Sequence, residues 1–392
     1  MTAEQARRAV ESTPDSLIRI QELVDASITL ILQQQSSTGA YPASPGFSAY
    51  AGYCWFRDGS FIADAMSAVG HADSAEAFFD WCARVIEERE QQISGIVEQA
   101  KNGTPAPDTA MLPTRYTLTG EEGSDDWWDF QLDGYGTWLW ALAQHHGRFG
   151  TDLSRWGTAV RLSVEYLCSS WSRPCFDWWE EHAEHVHVST LGCIAAGLRA
   201  IAATGILPEG QALAARTTAE DITSFIQSQG VRAGHLTKWI GTEEVDASLL
   251  ALIAPLAVLN ARESIAALTV DVIEARITVG EGAYRYAGDT YYGGGQWPLL
   301  SCFLGLAHAA AGHGERARQI LDWVVSTAGA DGSIPEQVDW QLLAPEYYAQ
   351  WVERWGRPAD PLLWSHAMFL RLAAELRLTP QPSTPRHRED GA

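Results

Sequence analysis

Apolar residues recur at three- and four-residue spacing along most of the chain, which places them on one face of an α-helix. Strict apolar–polar alternation, the pattern of a half-buried strand, is scarce. The sequence therefore predicts an all-α protein. The predicted helices span 14–35, 59–69, 73–99, 134–149, 151–173, 189–204, 207–229, 245–254, 260–276, 296–311, 315–327 and 361–378.

These twelve segments form six consecutive pairs, and the connections between them alternate in length. Very short connections stand at 70–72 and 312–314. The long ones span 100–133, 174–188, 277–295 and 328–360. A ring of helical hairpins has this alternation when the loops on one face are enlarged into a site. We expect a single ring-shaped domain over 1–379 and a polar, disordered tail over 380–392, with a helical solenoid as the alternative architecture.

The formal net charge of −22 argues against nucleic-acid partners and anionic membranes, whereas a neutral sugar suits such a surface. No apolar run approaches the roughly 20 residues of a membrane helix, and the N-terminus lacks the basic-then-apolar order of a signal peptide. We expect a cytoplasmic protein whose cysteines are buried free thiols. The six cysteines are Cys54, Cys82, Cys168, Cys175, Cys193 and Cys302.

Carboxylates stand beside tryptophans in two segments, FDWWEE at 176–181 and SIPEQVDW at 333–340. Cleavage of an acetal needs one carboxylic acid to protonate the leaving oxygen and a second carboxylate to activate water or to attack the anomeric carbon. Aromatic faces suit the apolar face of a pyranose. Either segment alone is weak evidence, because a solvated glutamate is the ordinary interpretation. Together they favour a glycoside-cleaving enzyme.

A metal site is the competing interpretation of His182, His185 and His187 with Glu184. Their order, H-x-E-H, is one residue short of a known zinc motif, and no further ligand set stands out. We predict neither a metal nor another cofactor, and expect these histidines to support the site or to contact a sugar in the +1 subsite. The glycines at 293–295 are expected to begin a helix, since neither a strand nor a G-K-[ST] sequence flanks them.

Six segments, in this order, resemble the motifs of glycoside hydrolase family 15, the glucoamylase family. They are YAGYCWFRDGS (50–60), QLDG (131–134), WEE (179–181), YRYAGDTYY (284–292) with Trp297, EQ (336–337) and LWSHA (363–367). The resemblance implies an (α/α)6 barrel, the architecture that the twelve-helix count also favours. It also implies an inverting exo-hydrolase that removes one glucose from a non-reducing end as the β-anomer.

The resemblance assigns roles to individual residues. Glu180 would be the general acid and Glu336 the general base, so the two carboxyl groups should stand roughly 6.5–9.5 Å apart with a water between them. Tyr50, in preference to Tyr53, would place a hydroxyl near that water. The implied substrate-binding residues are Arg57, Asp58 and Arg285 on the hydroxyls of the terminal glucose, Glu181 on sugar, Trp55, Trp127 and Trp179 as aromatic walls, and Trp364 supporting the base.

The substrate is expected to be a small oligosaccharide. Bacterial members often carry an N-terminal β-sandwich domain, and here the predicted barrel begins almost at the first residue, which favours short α-glucosides over polymers. Isomaltose is the leading substrate, with maltose, short dextrins and trehalose as alternatives. A non-catalytic sugar-binding protein is a less favoured hypothesis, because both Glu180 and Glu336 are present. A uronyl hydrolase would need a further cation beside Arg57 and Arg285.

Overall fold

The computed structural model describes residues 14–123 and 130–379. The predicted wall residue Trp127 and the tail at 380–392 lie outside these residues. Within them, no helix combines the length and the apolar character needed to cross a membrane. All six cysteines are free thiols, as predicted, although Cys168 is only partly buried.

The described residues are mainly α-helical. The helices are α1 Pro14–Gln34, α2 Phe56–Ala68, α3 Ala72–Glu87, α4 Glu90–Lys101, α5 Asp133–Phe149, α6 Gly157–Ser170, α7 Val188–Ala202, α8 Glu209–Gln229, α9 Ser264–Ile277, α10 Pro298–Ala311, α11 Gly314–Thr327, α12 Tyr348–Trp355 and α13 Leu363–Glu375. Three short antiparallel strand pairs join Tyr53–Trp55 to Arg115–Thr117, Val231–Arg232 to His235–Leu236, and Thr278–Val279 to Gly282–Ala283.

Six elements form a closed inner ring. Helix α2 packs on α5, α5 on α7, α7 on the 3₁₀ helix Ala247–Leu252, this 3₁₀ helix on α10, α10 on α13, and α13 again on α2. The other long helices pack outside this ring, since α3 lies on α2, α8 on α7 and α11 on α10. The predicted all-α (α/α)6 barrel is therefore confirmed.

Two inner helices, α5 and α7, touch backbone to backbone. A Cβ atom on Gly136 would lie 2.5 Å from the carbonyl oxygen of Cys193, and one on Gly197 would lie 2.2 Å from the carbonyl oxygen of Gly136. Any side chain at either glycine would force the helices apart. The close approach fixes α5 and α7 relative to each other, and Asp133 at the start of α5 accepts a hydrogen bond from Arg57.

Three predicted segments differ from the structure. The segment 73–99 is two helices. At the break the N–H of Arg89 donates to Ile86 at 3.0 Å, and the carbonyl oxygens of Val85 and Gly120 accept the guanidinium of Arg89 at 2.8 and 3.0 Å. The segment 245–254 is a short 3₁₀ helix, which begins where Asp246 accepts the N–H of Ser248 and ends before Pro255. Helix α12 was predicted as loop, because eight residues are too few to establish a period.

The inner elements all begin at the same end of the ring. The chain reaches each of them through a loop from an outer helix, and these loops span 35–55, 102–132, 171–187, 230–246, 278–297 and 328–362. The prediction that long outer-to-inner loops gather on one face is therefore confirmed. The candidate site residues lie in these loops or in the first turn of the next inner element.

Candidate active site

A cavity of about 540 Å³ is formed where the inner elements begin. Every predicted site residue that the structure describes lines this cavity. Its walls include Tyr50, Trp55, Arg57, Asp58, Trp179, Glu180, Glu181, Arg285, Glu336 and Trp364. Side chains that are remote in sequence are thus brought together by the ring, which the sequence order alone could not show.

Glu336 lies at the buried side of this cavity and is 2 % exposed. The hydroxyl of Tyr50 donates to its Oε1 at 3.1 Å, and the hydroxyl of Tyr291 donates to its Oε2 at 3.4 Å. Burial raises the pKa of Glu336 to about 7, while Tyr50, Arg285 and Tyr291 act in the opposite direction. The carboxyl group can therefore exchange a proton near neutral pH.

Tyr291 is a site residue that sequence reasoning did not single out. Its hydroxyl lies 3.1 Å from that of Tyr50, so the two hydroxyl groups lie side by side on the carboxyl group of Glu336. The residue falls within the segment 284–292 used for the resemblance, and its position there was the available signal. Tyr53, the less favoured tyrosine, instead stacks on the guanidinium of Arg115, whose Cζ lies 3.8 Å from the ring centroid.

The loop that carries Glu336 is held by the first turn of α13. Ser365 donates to the carbonyl oxygen of Pro335 at 2.9 Å, and Nε2 of His366 accepts the N–H of Ile334 at 2.9 Å. Burial lowers the pKa of His366 to about 3, which keeps the ring neutral and Nε2 able to accept. The direct support of this loop thus comes from the two residues that follow Trp364.

Trp364 itself is part of the cavity wall. Its ring stacks on Phe61 at 5.6 Å between centroids and lies 5.5 Å from Cζ of Arg57. The side chain is 3 % exposed, so it forms an inner wall of the cavity.

Glu180 lies on a tight turn that Asp177 closes. Oδ1 of Asp177 accepts the backbone N–H groups of Trp179 and Glu181, both at 2.9 Å. Glu180 has a φ of +62°, a left-handed conformation that is costly for a residue with a side chain. Nε1 of Trp55 donates to Oε1 of Glu180 at 2.5 Å. The turn therefore fixes the direction in which this carboxyl group enters the cavity.

A buried lysine, Lys238, stabilises this turn through ion pairs. Nζ of Lys238 lies 3.6 Å from Oδ2 of Asp177, 3.4 Å from Oδ2 of Asp246 and 3.2 Å from the ring centroid of Tyr286. Asp246 in turn accepts the indole N–H of Trp179 at 2.8 Å. Lys238 thus joins three of the outer-to-inner loops, and removing it would leave two buried carboxylates unpaired.

The first turn of α2 presents Arg57 and Asp58 to the cavity. Nη1 of Arg57 donates to Gln131 at 2.7 Å and to Asp133 at 2.9 Å, which fixes the guanidinium. Burial raises the pKa of Asp58 to about 7, although Arg57 lowers it. Oδ2 of Asp58 is buried 3.4 Å from Nε of Arg57, and the residue lines the cavity. A carboxyl group held beside a fixed cation at a cavity wall can accept a hydrogen bond from a sugar hydroxyl.

Arg285 lies in a cage of aromatic rings. Its guanidinium forms a two-pronged hydrogen bond with Asp289, from Nε at 2.7 Å and from Nη2 at 2.5 Å. The same Nη2 lies 3.6 Å from Oε1 of Glu181, and Glu181 accepts the hydroxyl of Tyr286 at 2.5 Å. The cation is thus held rigidly at the wall of the cavity. The rings of Trp179, Tyr286, Tyr291 and Trp297 surround it.

The histidines of the 182–187 segment pack around one tryptophan. The ring of His185 stacks on Trp239 at 4.4 Å and 8°, and buried His187 donates through Nε2 to the carbonyl oxygen of His182 at 2.9 Å. No histidine is among the described residues that line the cavity. Their predicted contact with a +1 sugar stays a prediction.

One group of possible metal ligands occurs in the described part of the chain. Asp177, Glu181 and His182 bring one ligand atom each within 4.8 Å of one another. The carboxylates already face the cations Lys238 and Arg285, and those cations neutralise the charge that would attract a metal. The geometry therefore favours an ion-pair network at this place.

The glycines at 293–295 do not begin a helix, contrary to the prediction: Gly293 ends the 3₁₀ helix Tyr291–Gly293, and α10 begins only at Pro298. Gly293 and Gly294 adopt φ values of +77° and +67°, and the N–H of Gly295 donates to Oε1 of Gln337 at 2.8 Å. A Cβ atom on Gly295 would lie 2.2 Å from the carbonyl oxygen of Val338. The segment therefore packs directly against the loop of Glu336 just before α10.

Helix α12 adds three cavity residues that the sequence did not suggest. Trp351, Arg354 and Trp355 line the same cavity as the two carboxyl groups. They belong to the loop between Glu336 and α13, where no role was predicted.

The chain is similar to known glycoside hydrolases. The model of the family described as "Glycosyl hydrolases family 15" matches residues 19–374. The curated isomaltose glucohydrolase of Kribbella flavida is 46% identical over 365 residues, which cover 93% of this chain and 95% of that protein.

Solved structures agree with this match. A wild-type glycosidase superposes with a TM-score of 0.92 at 46% identity, over 94% of this chain and 99% of that one. The family 15 glucoamylase from Hypocrea jecorina superposes with a TM-score of 0.68 at 17% identity, over 92% and 73%, which supports the fold alone. The motifs, the ring and these matches agree, and the chain belongs to glycoside hydrolase family 15.

Proposed function

We propose that the protein is an inverting, exo-acting α-glucoside hydrolase that releases β-glucose from the non-reducing end of isomaltose and other short α-glucosides. The observation that carries the proposal is the shared cavity. Glu180 and Glu336 both line it, and they do so beside the fixed polar groups of Arg57, Asp58 and Arg285. The proposed linkage is supported by the 46% identity to a protein named isomaltose glucohydrolase.

Glu180 would act as the general acid. Its carboxyl group would donate a proton to the glycosidic oxygen while the bond from that oxygen to the anomeric carbon breaks. The left-handed turn and the indole N–H of Trp55 hold the group in one direction, which reduces the reorganisation needed in the transition state.

Glu336 would act as the general base. Its carboxylate would accept a proton from a water molecule while the oxygen of that water bonds to the anomeric carbon from the opposite face. Tyr50 and Tyr291 donate hydrogen bonds to the carboxylate, so they stabilise the ionised form that a base needs. After one turnover Glu180 is ionised and Glu336 is protonated, and proton exchange with solvent restores both.

The exo mode follows from the buried polar groups. Arg57, Asp58 and Arg285 are 4 %, 8 % and 3 % exposed, so a sugar must enter completely to reach them. A glucose with a free non-reducing end can bond to these groups, whereas one that is already substituted there would leave them unpaired or clash with the walls. The residues thus select a chain end.

A panel of substrates tests the proposal. The purified protein should release glucose from isomaltose with a higher kcat/KM than from maltose or trehalose, and faster than from starch on a per-mass basis. Glucose is measured by anion-exchange chromatography over the first few per cent of conversion. A preference for trehalose or starch would contradict the proposed substrate, and the absence of glucose from all four would contradict the proposed activity.

A further inference from the structure

Helix α12 lies at the outer part of the cavity. All eight of its residues are described and none of them is fully buried, in contrast to the nearly buried side chains of Arg57, Arg285 and Glu336. Trp351, Arg354 and Trp355 nevertheless line the cavity. They therefore form a more solvent-exposed part of the cavity wall than Arg57, Arg285 and Glu336 do.

The three side chains share one face of the helix, because they stand at positions i, i+3 and i+4. Cζ of Arg354 lies 5.5 Å from the ring centroid of Trp351 and 5.3 Å from that of Trp355. The guanidinium is thus held beside two indole rings. Indole faces suit the apolar side of a pyranose, and guanidinium N–H groups suit its hydroxyls.

This face is fixed relative to the proposed base. The ring of Trp351 packs on that of Tyr291 at 5.0 Å, and Tyr291 contacts Glu336. Trp351 also packs on Tyr292 at 6.0 Å.

The chain before the helix is held by the backbone of the glycine segment. The N–H of Leu343 donates to Gly294 at 3.1 Å, and the N–H of Ala344 donates to Gly293 at 2.9 Å. A wall held in this way is preorganised for binding, since little ordering remains to be done when a sugar arrives.

We propose that Trp351, Arg354 and Trp355 form the binding wall for the aglycone sugar, the unit that departs when the terminal glucose is cleaved. The proposal rests on the proposed function and deepens it by naming residues that recognise the leaving sugar. The sequence offers the histidines of the 182–187 segment as candidates for a +1 contact. The wall proposed here lies instead on the loop that follows Glu336.

Two substrates separate this role from catalysis. Isomaltose presents a glucose as the leaving group, whereas α-glucosyl fluoride presents a fluoride that cannot contact the wall. Trp355→Ala and Arg354→Ala should each lower kcat/KM for isomaltose by about 10-fold and leave that for α-glucosyl fluoride within about twofold of wild type. Trp355→Phe, which keeps an aromatic face, should retain most of the activity on isomaltose.

The matched control is Trp340→Ala. Trp340 is 45 % exposed, belongs to the same loop and is absent from the cavity wall as the structure describes it, so its removal should change neither substrate. Turnover of the fluoride also reports that each variant is folded.

The proposed role of the wall would be wrong if kcat/KM fell equally for both substrates, or if kcat/KM for isomaltose did not change. Neither result would contradict the proposed activity. If the wild-type protein acts on neither substrate, the proposed function fails and the wall fails with it.

Discussion

Glu336→Gln is expected to lower kcat for isomaltose by at least about 10³-fold, because positioned acid–base groups contribute roughly 10²- to 10⁴-fold and act as a unit. The amide has the shape of the carboxylate and can still accept the hydroxyl of Tyr50, but it cannot take a proton from water. Binding of glucose should change little. Initial rates of glucose release measure the effect.

Glu353→Gln is the matched control for this change. Glu353 is exposed on α12 and does not contribute to the described cavity wall, so the same substitution there should leave kcat unaltered. If Glu336→Gln retained more than about a tenth of the wild-type kcat, the assignment of the base would be wrong.

Glu180→Gln is expected to lower kcat for isomaltose by about 10²- to 10⁴-fold while leaving α-glucosyl fluoride far less affected. A sugar alkoxide leaves only when its oxygen is protonated, whereas fluoride departs without a general acid. The measurement is the ratio of the two kcat values, with fluoride release followed by a selective electrode.

Glu181→Gln is the informative comparison, because the two glutamates are neighbours in the chain. Glu181 already accepts the hydroxyl of Tyr286 and faces Arg285, so its contacts belong to the wall that binds sugar. Its loss should lower kcat/KM for isomaltose and for α-glucosyl fluoride to a similar extent. The assignments would be exchanged if Glu181→Gln selectively lost isomaltose cleavage while Glu180→Gln affected both substrates equally. Glu181 would then be the general acid and Glu180 the sugar-binding residue.

The ring could be predicted from the sequence because helical periodicity and loop length are local properties. The spacing of apolar residues gave α1, α5 and α10 to within two residues at each end. It missed the break at 88–89, since the apolar face continues across it and the contact that Arg89 makes there with the distant Gly120 has no local signal. The 3₁₀ form of 247–252 likewise depends on Asp246 and Pro255 acting together.

The site could be predicted only where residues stand together in a motif. Arg57 and Asp58 are adjacent, and Glu180 follows two tryptophans, so both groups could be recognised from the local sequence. The contact between Tyr50 and Tyr291 joins residues 241 positions apart, and no local pattern encodes it.

Lys238 and the residues of α12 were missed for a related reason. Lys238 is the lysine of an ordinary T-K-W sequence, and its importance comes from the two carboxylates that the fold places around it. Helix α12 is a single short helix in a long loop, so its contribution to the cavity could not be recognised from the sequence.

We propose that water, activated by Glu336, attacks the anomeric carbon from the face opposite the leaving group. Proton NMR during the first minutes of isomaltose cleavage tests it most directly, because the anomeric signals of α- and β-glucose are resolved before mutarotation mixes them. β-Glucose is expected to rise first, in excess of its equilibrium share, and α-glucose to follow at the rate of mutarotation. An initial excess of α-glucose would contradict it.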